Sequence, residues 1–232
     1  TNTVTVTSGT VNQDVRGGEI IAPTANGNVS GNKVNINNGT INGTVTAGYN
    51  MGTGKADGNE IHVANGSIAG VVTGGHSTQA GEVSGNTVEV TGGTLSDNIR
   101  GGFAFDGTAS GNKVDITGGM LSGNTIVGGF SANGTAVENT ATVGGGVPFT
   151  GDVMGGSAGT GADKNKVFLK NGANITGNAY GGLVGNGGEV KDNELIIEAS
   201  SATGDAIGGQ NNAATGDVTG NKAYMNAGSA AR

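Results

Sequence analysis

The chain has 232 residues, of which 50 are glycine, while only 3% are aromatic and 12% are charged. Typical globular domains carry roughly 25% charged residues, so this composition excludes a conventional domain with a large aromatic core. The net charge of −7 argues against binding to nucleic acid, and the absence of cysteine excludes disulfides and thiolate metal sites. No run of 18 apolar residues occurs, so we expect no membrane insertion by this segment.

The first predicted element is a strand that begins with asparagine and recurs every 26 to 30 residues along the chain. After the asparagine, the second and fourth residues are mostly apolar, as Val34 and Ile36 are after Asn32. Alternation with a period of two in β-branched residues is typical of a half-buried strand. A repeat of this length cannot bury its apolar side alone, so successive copies must stack, each strand pairing in parallel with its equivalents.

The repeated asparagines are predicted to form a structural ladder. Side-chain alternation places each of them on the inward side, and stacked amides about 4.8 Å apart can hydrogen-bond along the stacking axis. We expect a structural role rather than a binding role for these residues: Asn32, Asn59, Asn86, Asn112, Asn139, Asn165, Asn193 and Asn221.

A corner follows the first strand, at dipeptides such as Asn38-Gly39 and Asn65-Gly66, where glycine or asparagine supplies a positive φ at low cost. The second side then ends on a glycine pair, which we interpret as a paired turn. These pairs are Gly17-Gly18, Ala47-Gly48, Gly74-Gly75, Gly101-Gly102, Gly128-Gly129, Gly155-Gly156, Gly181-Gly182 and Gly208-Gly209.

Ring-bearing side chains directly follow four of these pairs and should stack along one edge: Tyr49, His76, Phe103 and Phe130. If exposed, they form a platform for a sugar or a protein partner. The alternative is that they pack beneath the adjoining loop as local core. Before the glycine pairs, the residues become apolar in the C-terminal half (Val127, Met154, Tyr180, Ile207), which suggests either contact with a neighbouring segment or inward packing.

A short third side, with a small apolar residue, leads to the next asparagine. The predicted fold is therefore all-β: a parallel β-helix (β-solenoid) with three short strands per coil, about 27 residues per coil and roughly eight and a half coils. We expect residues 1–232 to form a single domain. Because stand-alone solenoids need polar caps, we also expect an excerpt from a longer array that contacts adjacent repeats.

The repeat N-x-V-x-[VI]-x-x-G-x-[IL]-x-G-x-V-x-GG, which covers the whole chain, resembles the passenger domains of Gram-negative autotransporter proteins of the type V secretion class. This resemblance implies a right-handed β-helix displayed on the outer-membrane surface. It also implies adhesion to a host or bacterial surface protein or to a glycan.

The residues offer little for catalysis, so we expect no enzyme, no cofactor and no metal site. The best constellation is His62, Glu89 and Asp115, which share the third position after their asparagines on consecutive coils. They could bind a cation or act as an acid and base pair, or simply form a solvated strand face. A polysaccharide lyase or glycoside hydrolase of the β-helix type is the alternative function. Ice binding is disfavoured because charged residues interrupt the threonine positions.

Overall fold

The computed structural model describes residues 1–123 and 125–230. The single domain predicted over residues 1–232 therefore includes three positions, 124, 231 and 232, that lie outside the described residues. The described part contains strands, turns and bends and no helix, hence no helix long and apolar enough to cross a membrane. Equivalent strands pair in parallel about 27 residues apart and stack as a β-solenoid of about eight turns. The predicted all-β solenoid is confirmed.

Each coil contributes four strands, which stack into sheets along the solenoid. Sheet 1 holds β1 (Thr3–Val6), β5 (Lys33–Ile36), β9 (Glu60–Val63), β13 (Thr87–Val90), β17 (Lys113–Ile116), β21 (Thr140–Val143), β25 (Lys166–Lys170), β29 (Glu194–Glu198) and β33 (Lys222–Asn226). Sheet 2 holds β2 (Thr10–Val11), β6 (Thr40–Ile41), β10 (Ser67–Ile68), β14 (Thr94–Leu95) and β18 (Met120–Leu121), and a separate continuation holds β22 (Pro148–Phe149), β26 (Asn174–Ile175), β30 (Ser201–Ala202) and β34 (Ser229–Ala230).

The longest strands form sheet 3: β3 (Val15–Ile20), β7 (Val45–Asn50), β11 (Val72–Ser77), β15 (Ile99–Ala104), β19 (Thr125–Ser131), β23 (Asp152–Ala158), β27 (Ala179–Val184) and β31 (Ala206–Asn211). Sheet 4 is short: β4 (Val29–Ser30), β8 (Ala56–Asp57), β12 (Val83–Ser84), β16 (Ala109–Ser110), β20 (Thr135–Val137), β24 (Gly161–Asp163), β28 (Glu189–Lys191) and β32 (Val218–Thr219). Three strands per coil were predicted and four are observed. The predicted second side is in fact two strands, one in sheet 2 and one in sheet 3.

The core is a narrow column of aliphatic side chains. Sheet 1 supplies two of them per coil, such as Val34 and Ile36, and both are fully buried. Ile41 of sheet 2 and Val45 of sheet 3 complete the same cluster. The inward positions predicted for the first strand are thus confirmed, and the alternating pattern follows from the opposite orientation of successive side chains in a strand.

The corner after sheet 1 has the predicted backbone conformation. Gly39 and Gly66 have φ values of 105° and 103°, which side chains with a Cβ rarely adopt. Sheet 2 is interrupted at Pro148. In other coils the first residue of this strand donates its N–H to the preceding coil, as Met120 does to the carbonyl of Gly93 at 2.8 Å, whereas proline has no N–H to donate.

The glycine pairs are not turns, so that prediction was wrong. Each pair lies inside a strand of sheet 3, and none of its residues has a positive φ. The pairs are needed for space rather than for a turn. A Cβ built on Gly75 would overlap the side-chain amide of Asn86, and the second glycine of every other pair faces a ladder asparagine in the same way.

Candidate binding face

The repeated asparagines form one continuous chain of hydrogen bonds inside the solenoid. The backbone N–H and the side-chain amide of Asn59 both donate to Oδ1 of Asn86 at 2.9 Å. Nδ2 of Asn86 donates in turn to Oδ1 of Asn112 and to the carbonyl of Ala56, each at 2.9 Å. The pattern includes Asn2 at one end and Asn221 at the other. These asparagines hold successive coils in register from within.

The regular pairing of sheet 3 is interrupted at the glycine pairs, where the first glycine, such as Gly101, has no partner in the register, and we interpret this interruption as a bend in the strand. Arg100 and Phe103 flank one pair and would point to opposite sides of a regular strand. Instead the Arg100 guanidinium carbon lies 5.1 Å from the centre of the Phe103 ring. Residues directly before and after each pair therefore share one outer surface, which we call the Gly-pair face.

The four predicted ring-bearing residues form a column on this face. Ring centres are 4.9 Å apart for Tyr49 and His76, 4.6 Å for His76 and Phe103, and 5.4 Å for Phe103 and Phe130. These separations are close to the spacing of neighbouring strands, so each ring packs on the ring of the next coil. All four side chains are half-buried. Only Phe103 and Phe130 stack nearly face to face, at 16° between their planes, whereas the other two pairs are inclined at 61° and 51°, so the column is not a flat platform.

A cleft of about 260 Å³ lies beside this column in the first four coils. Thr46 and Thr73 line its floor and are only 4% and 3% exposed. Arg16 and Arg100 line it as well, three coils apart. Arg16 is paired with Asp14 at 3.1 Å and with Glu19, and its guanidinium carbon lies 4.3 Å from the centre of the Tyr49 ring.

Burial and charge set the protonation of the groups around this cleft. Burial, with the neighbouring charges of Arg100 and Arg16, lowers the pKa of His76 to about 4, so its ring is neutral near pH 7. Burial also lowers the pKa of Arg100, an effect that the nearby charge of Asp97 opposes, and an arginine side chain stays protonated in proteins. The backbone N–H of Thr44 donates to Asp14 and lowers the pKa of that carboxyl group.

The C-terminal half of the Gly-pair face is filled by a hydrophobic cluster separate from the core. Val127, Met154 and Tyr180 are 1%, 7% and 8% exposed and pack with half-buried neighbours, including Phe130 and Ile207. Their burial arises because side chains on both flanks of the bent strands meet above the glycine pairs. The pKa of Tyr180 is raised by this burial, with contributions from Asp152 and Asp205.

The second predicted constellation lies on the outer side of sheet 1. His62, Glu89 and Asp115 are in register on neighbouring strands. Nδ1 of His62 lies 3.1 Å from Oε2 of Glu89, above a cleft of about 380 Å³, but Asp115 pairs with Lys113 at 2.9 Å. Within residues 1–123 and 125–230, no group of three or more His, Asp or Glu side chains is arranged to hold a metal ion.

The sequence itself indicates that the Gly-pair face points outward. Positions before the glycine pairs hold large residues such as Arg16, Arg100 and Tyr180, which a narrow coil cannot accommodate inside. An outward bend at the pair accounts for them. No protein-family model, curated protein or solved structure matches this chain.

Proposed function

We propose that the protein is part of a bacterial cell-surface adhesin or stalk, of the autotransporter passenger-domain type. It binds a glycan or a surface protein of host cells or other bacteria without catalysing a reaction. The observation that carries this proposal is the Gly-pair face, where a row of half-buried rings runs along a rigid stack of coils. A partner that contacts several coils at once can bind such a face without ordering any flexible segment, which lowers the entropic cost of binding.

The internal ladder supports this function. Loops and side faces recognise partners best when a rigid scaffold positions them. The amides of Asn59, Asn86 and Asn112 are 0%, 0% and 1% exposed and fully hydrogen-bonded, so neighbouring coils cannot easily slide past one another. The outer face of each coil therefore keeps a fixed position relative to the next.

Some charged residues on the other faces are paired with one another across coils. Lys33 lies 2.9 Å from Glu60, and Lys55 lies 2.7 Å from Glu82. Exposed pairs of this kind contribute little to stability. The chain as a whole keeps a net charge of −7, and a net charge away from zero helps to keep a displayed rod soluble.

The proposal is tested by coating beads with the purified chain and counting their attachment to host cells, bacteria and a glycan array. Attachment should fall for Phe103→Ser, which opens the middle of the ring column. Phe105→Ser is the matched control, because Phe105 lies in the same coil outside the column and is 46% exposed. Circular dichroism of both variants reports whether the solenoid is retained. No attachment to any of these surfaces, or an equal loss in both variants, contradicts the proposal.

A β-helix polysaccharide lyase or glycoside hydrolase is a second candidate, favoured by the contact of His62 with Glu89 at 3.1 Å above a surface cleft. A histidine and a carboxylate at this distance can transfer a proton. Incubating the protein with a panel of polysaccharides and measuring the release of reducing ends tests it. Turnover that is lost in Glu89→Gln would establish the enzyme and exclude the purely adhesive function.

A further inference from the structure

Arg100 carries a charge that the nearby carboxylate of Asp97 offsets only in part and without an ion pair. Its guanidinium group makes neither an ion pair nor a hydrogen bond within the part of the chain that the structure describes, although it lies over the rings of Phe103 and Phe130 at 5.1 and 5.4 Å. Arg16 at the other end of the cleft, in contrast, is held between Asp14 and Glu19. A half-buried guanidinium without a partner is strongly attracted to an anion that enters the cleft.

The rest of the cleft supplies hydrogen-bond donors, and its one carboxylate, that of Asp14, is paired with Arg16 and accepts from the backbone N–H of Thr44. Thr46 and Thr73 line the cleft, and each brings a side-chain hydroxyl. Tyr49 adds a phenol and His76 a neutral imidazole. The Tyr49 and His76 rings meet edge to face, with an angle of 61° between their planes, so these two rings do not form a closed face-to-face stack beside the cleft.

The cleft is better suited to a sugar than to a peptide strand. Strands β7 and β11 are paired on both edges, so an extended peptide cannot join sheet 3 here through main-chain hydrogen bonds. The available groups are side-chain hydroxyls, a phenol and a guanidinium, which match a ligand with many hydroxyl groups and a negative charge. The distance from Arg16 to Arg100 is three coils, or about 14 Å along the axis, which leaves room for a short oligosaccharide.

We propose that the cleft between Arg16 and Arg100 binds an acidic oligosaccharide, with Arg100 receiving its carboxylate or sulfate group and Thr46 and Thr73 donating hydrogen bonds to it. This inference rests on the proposed adhesive function and specifies its ligand. Specificity for charge arises because an uncharged sugar leaves the guanidinium group of Arg100 without its anion.

Isothermal titration calorimetry with four probes tests the proposal: a glucuronate-containing tetrasaccharide, a sulfated tetrasaccharide, uncharged cellotetraose and a tetraglutamate peptide. At least one charged sugar should bind, and the uncharged sugar and the peptide should bind at least tenfold more weakly. A response to the glucuronate probe identifies a carboxylate ligand, and a response to the sulfated probe identifies a sulfate ligand. Binding should weaken as salt increases.

Two variants locate the site. Arg100→Gln should weaken binding of the charged sugar by about 10- to 100-fold, and Thr73→Val by about 3- to 10-fold. Lys191→Gln removes the same charge from sheet 4 and should leave binding unchanged. The inference is overturned if neither charged sugar binds, if cellotetraose or tetraglutamate binds as tightly, or if Arg100→Gln and Thr73→Val both bind like the unchanged protein. If the protein still attaches to cells in any of these cases, the proposed adhesive function is retained and only the acidic oligosaccharide is excluded as its ligand.

Discussion

Each inner ladder asparagine, from Asn59 to Asn193, fills four hydrogen-bonding roles with one short amide. The oxygen of Asn86 accepts from the backbone and the side chain of Asn59, and its nitrogen donates to Asn112 and to the carbonyl of Ala56. Aspartate would lose both donors and bury a charge, and glutamine is one methylene too long for the same spacing. This explains why the same residue type recurs at this position in every coil.

Removing one member of the ladder should destabilise the solenoid strongly. Asn86→Ala leaves the backbone N–H of Asn59 and the carbonyl of Ala56 buried with fewer partners, at about 1–3 kcal/mol for each unsatisfied group. We therefore expect the free energy of unfolding to fall by about 3 kcal/mol or more, measured by urea denaturation. Asn42→Ala is the control, because Asn42 is exposed and should change stability by less than about 0.5 kcal/mol. Equal effects of the two substitutions would show that the ladder contributes no special stability.

At the scale of the strand, the sequence predicted some elements well and misjudged another. The sheet 1 strands were predictable because their residues point alternately to the core and to solvent, which gives a repeating apolar and polar pattern. The corner at Asn38-Gly39 was predictable because only a few residue types tolerate its backbone. The glycine pairs were mistaken for turns, since glycine at a turn and glycine beneath a neighbouring amide look the same in a sequence.

The aromatic column shows a similar limit of sequence reasoning. Even spacing of Tyr49, His76, Phe103 and Phe130 was enough to predict that the rings stack on neighbouring coils. It did not reveal the bend at the glycine pairs, which brings Arg100 onto the same face as the rings. The cleft between the ring column and the residues before the glycine pairs depends on that bend. A pattern of residue types does not reveal the bend, so the cleft could not be predicted.

Two glycines of the same coil are required for different reasons, Gly75 because there is no space for a side chain and Gly85 because its φ is positive. A Cβ on Gly75 would overlap the amide of Asn86, whereas Gly85 has a φ of 62° and open space around its Cβ position. We expect Gly75→Ala to lower the free energy of unfolding by about 3 kcal/mol through overpacking, and Gly85→Ala by only about 1 kcal/mol. Lys164 holds the equivalent of Gly85 in another coil, with a φ of 52°, so a side chain fits there. Chemical denaturation of both variants gives the comparison, and a larger loss for Gly85→Ala would contradict the packing explanation.

At the scale of the whole molecule, the solenoid separates repeating inward positions from variable outward positions. Inward positions are occupied by aliphatic side chains and by the ladder, which repeat from coil to coil. Outward positions on the Gly-pair face vary from Thr73 to Arg100 to Val127, because they are not required for stacking. In repeat proteins each unit contacts mainly its neighbours, so one face can change in a few coils without disturbing the rest. This arrangement places the cleft in the first four coils and the hydrophobic cluster in the later ones.

The most direct test of the central claim, that this protein binds an acidic sugar on its Gly-pair face, is a nuclear magnetic resonance titration of the isotope-labelled chain. A glucuronate-containing or sulfated tetrasaccharide is added, and the backbone amide shifts are followed residue by residue. We expect the largest changes at Thr46, Thr73 and Arg100, with little change at Lys33 and His62 on sheet 1. Changes centred on the sheet 1 cleft, or no changes with either sugar, would contradict the claim.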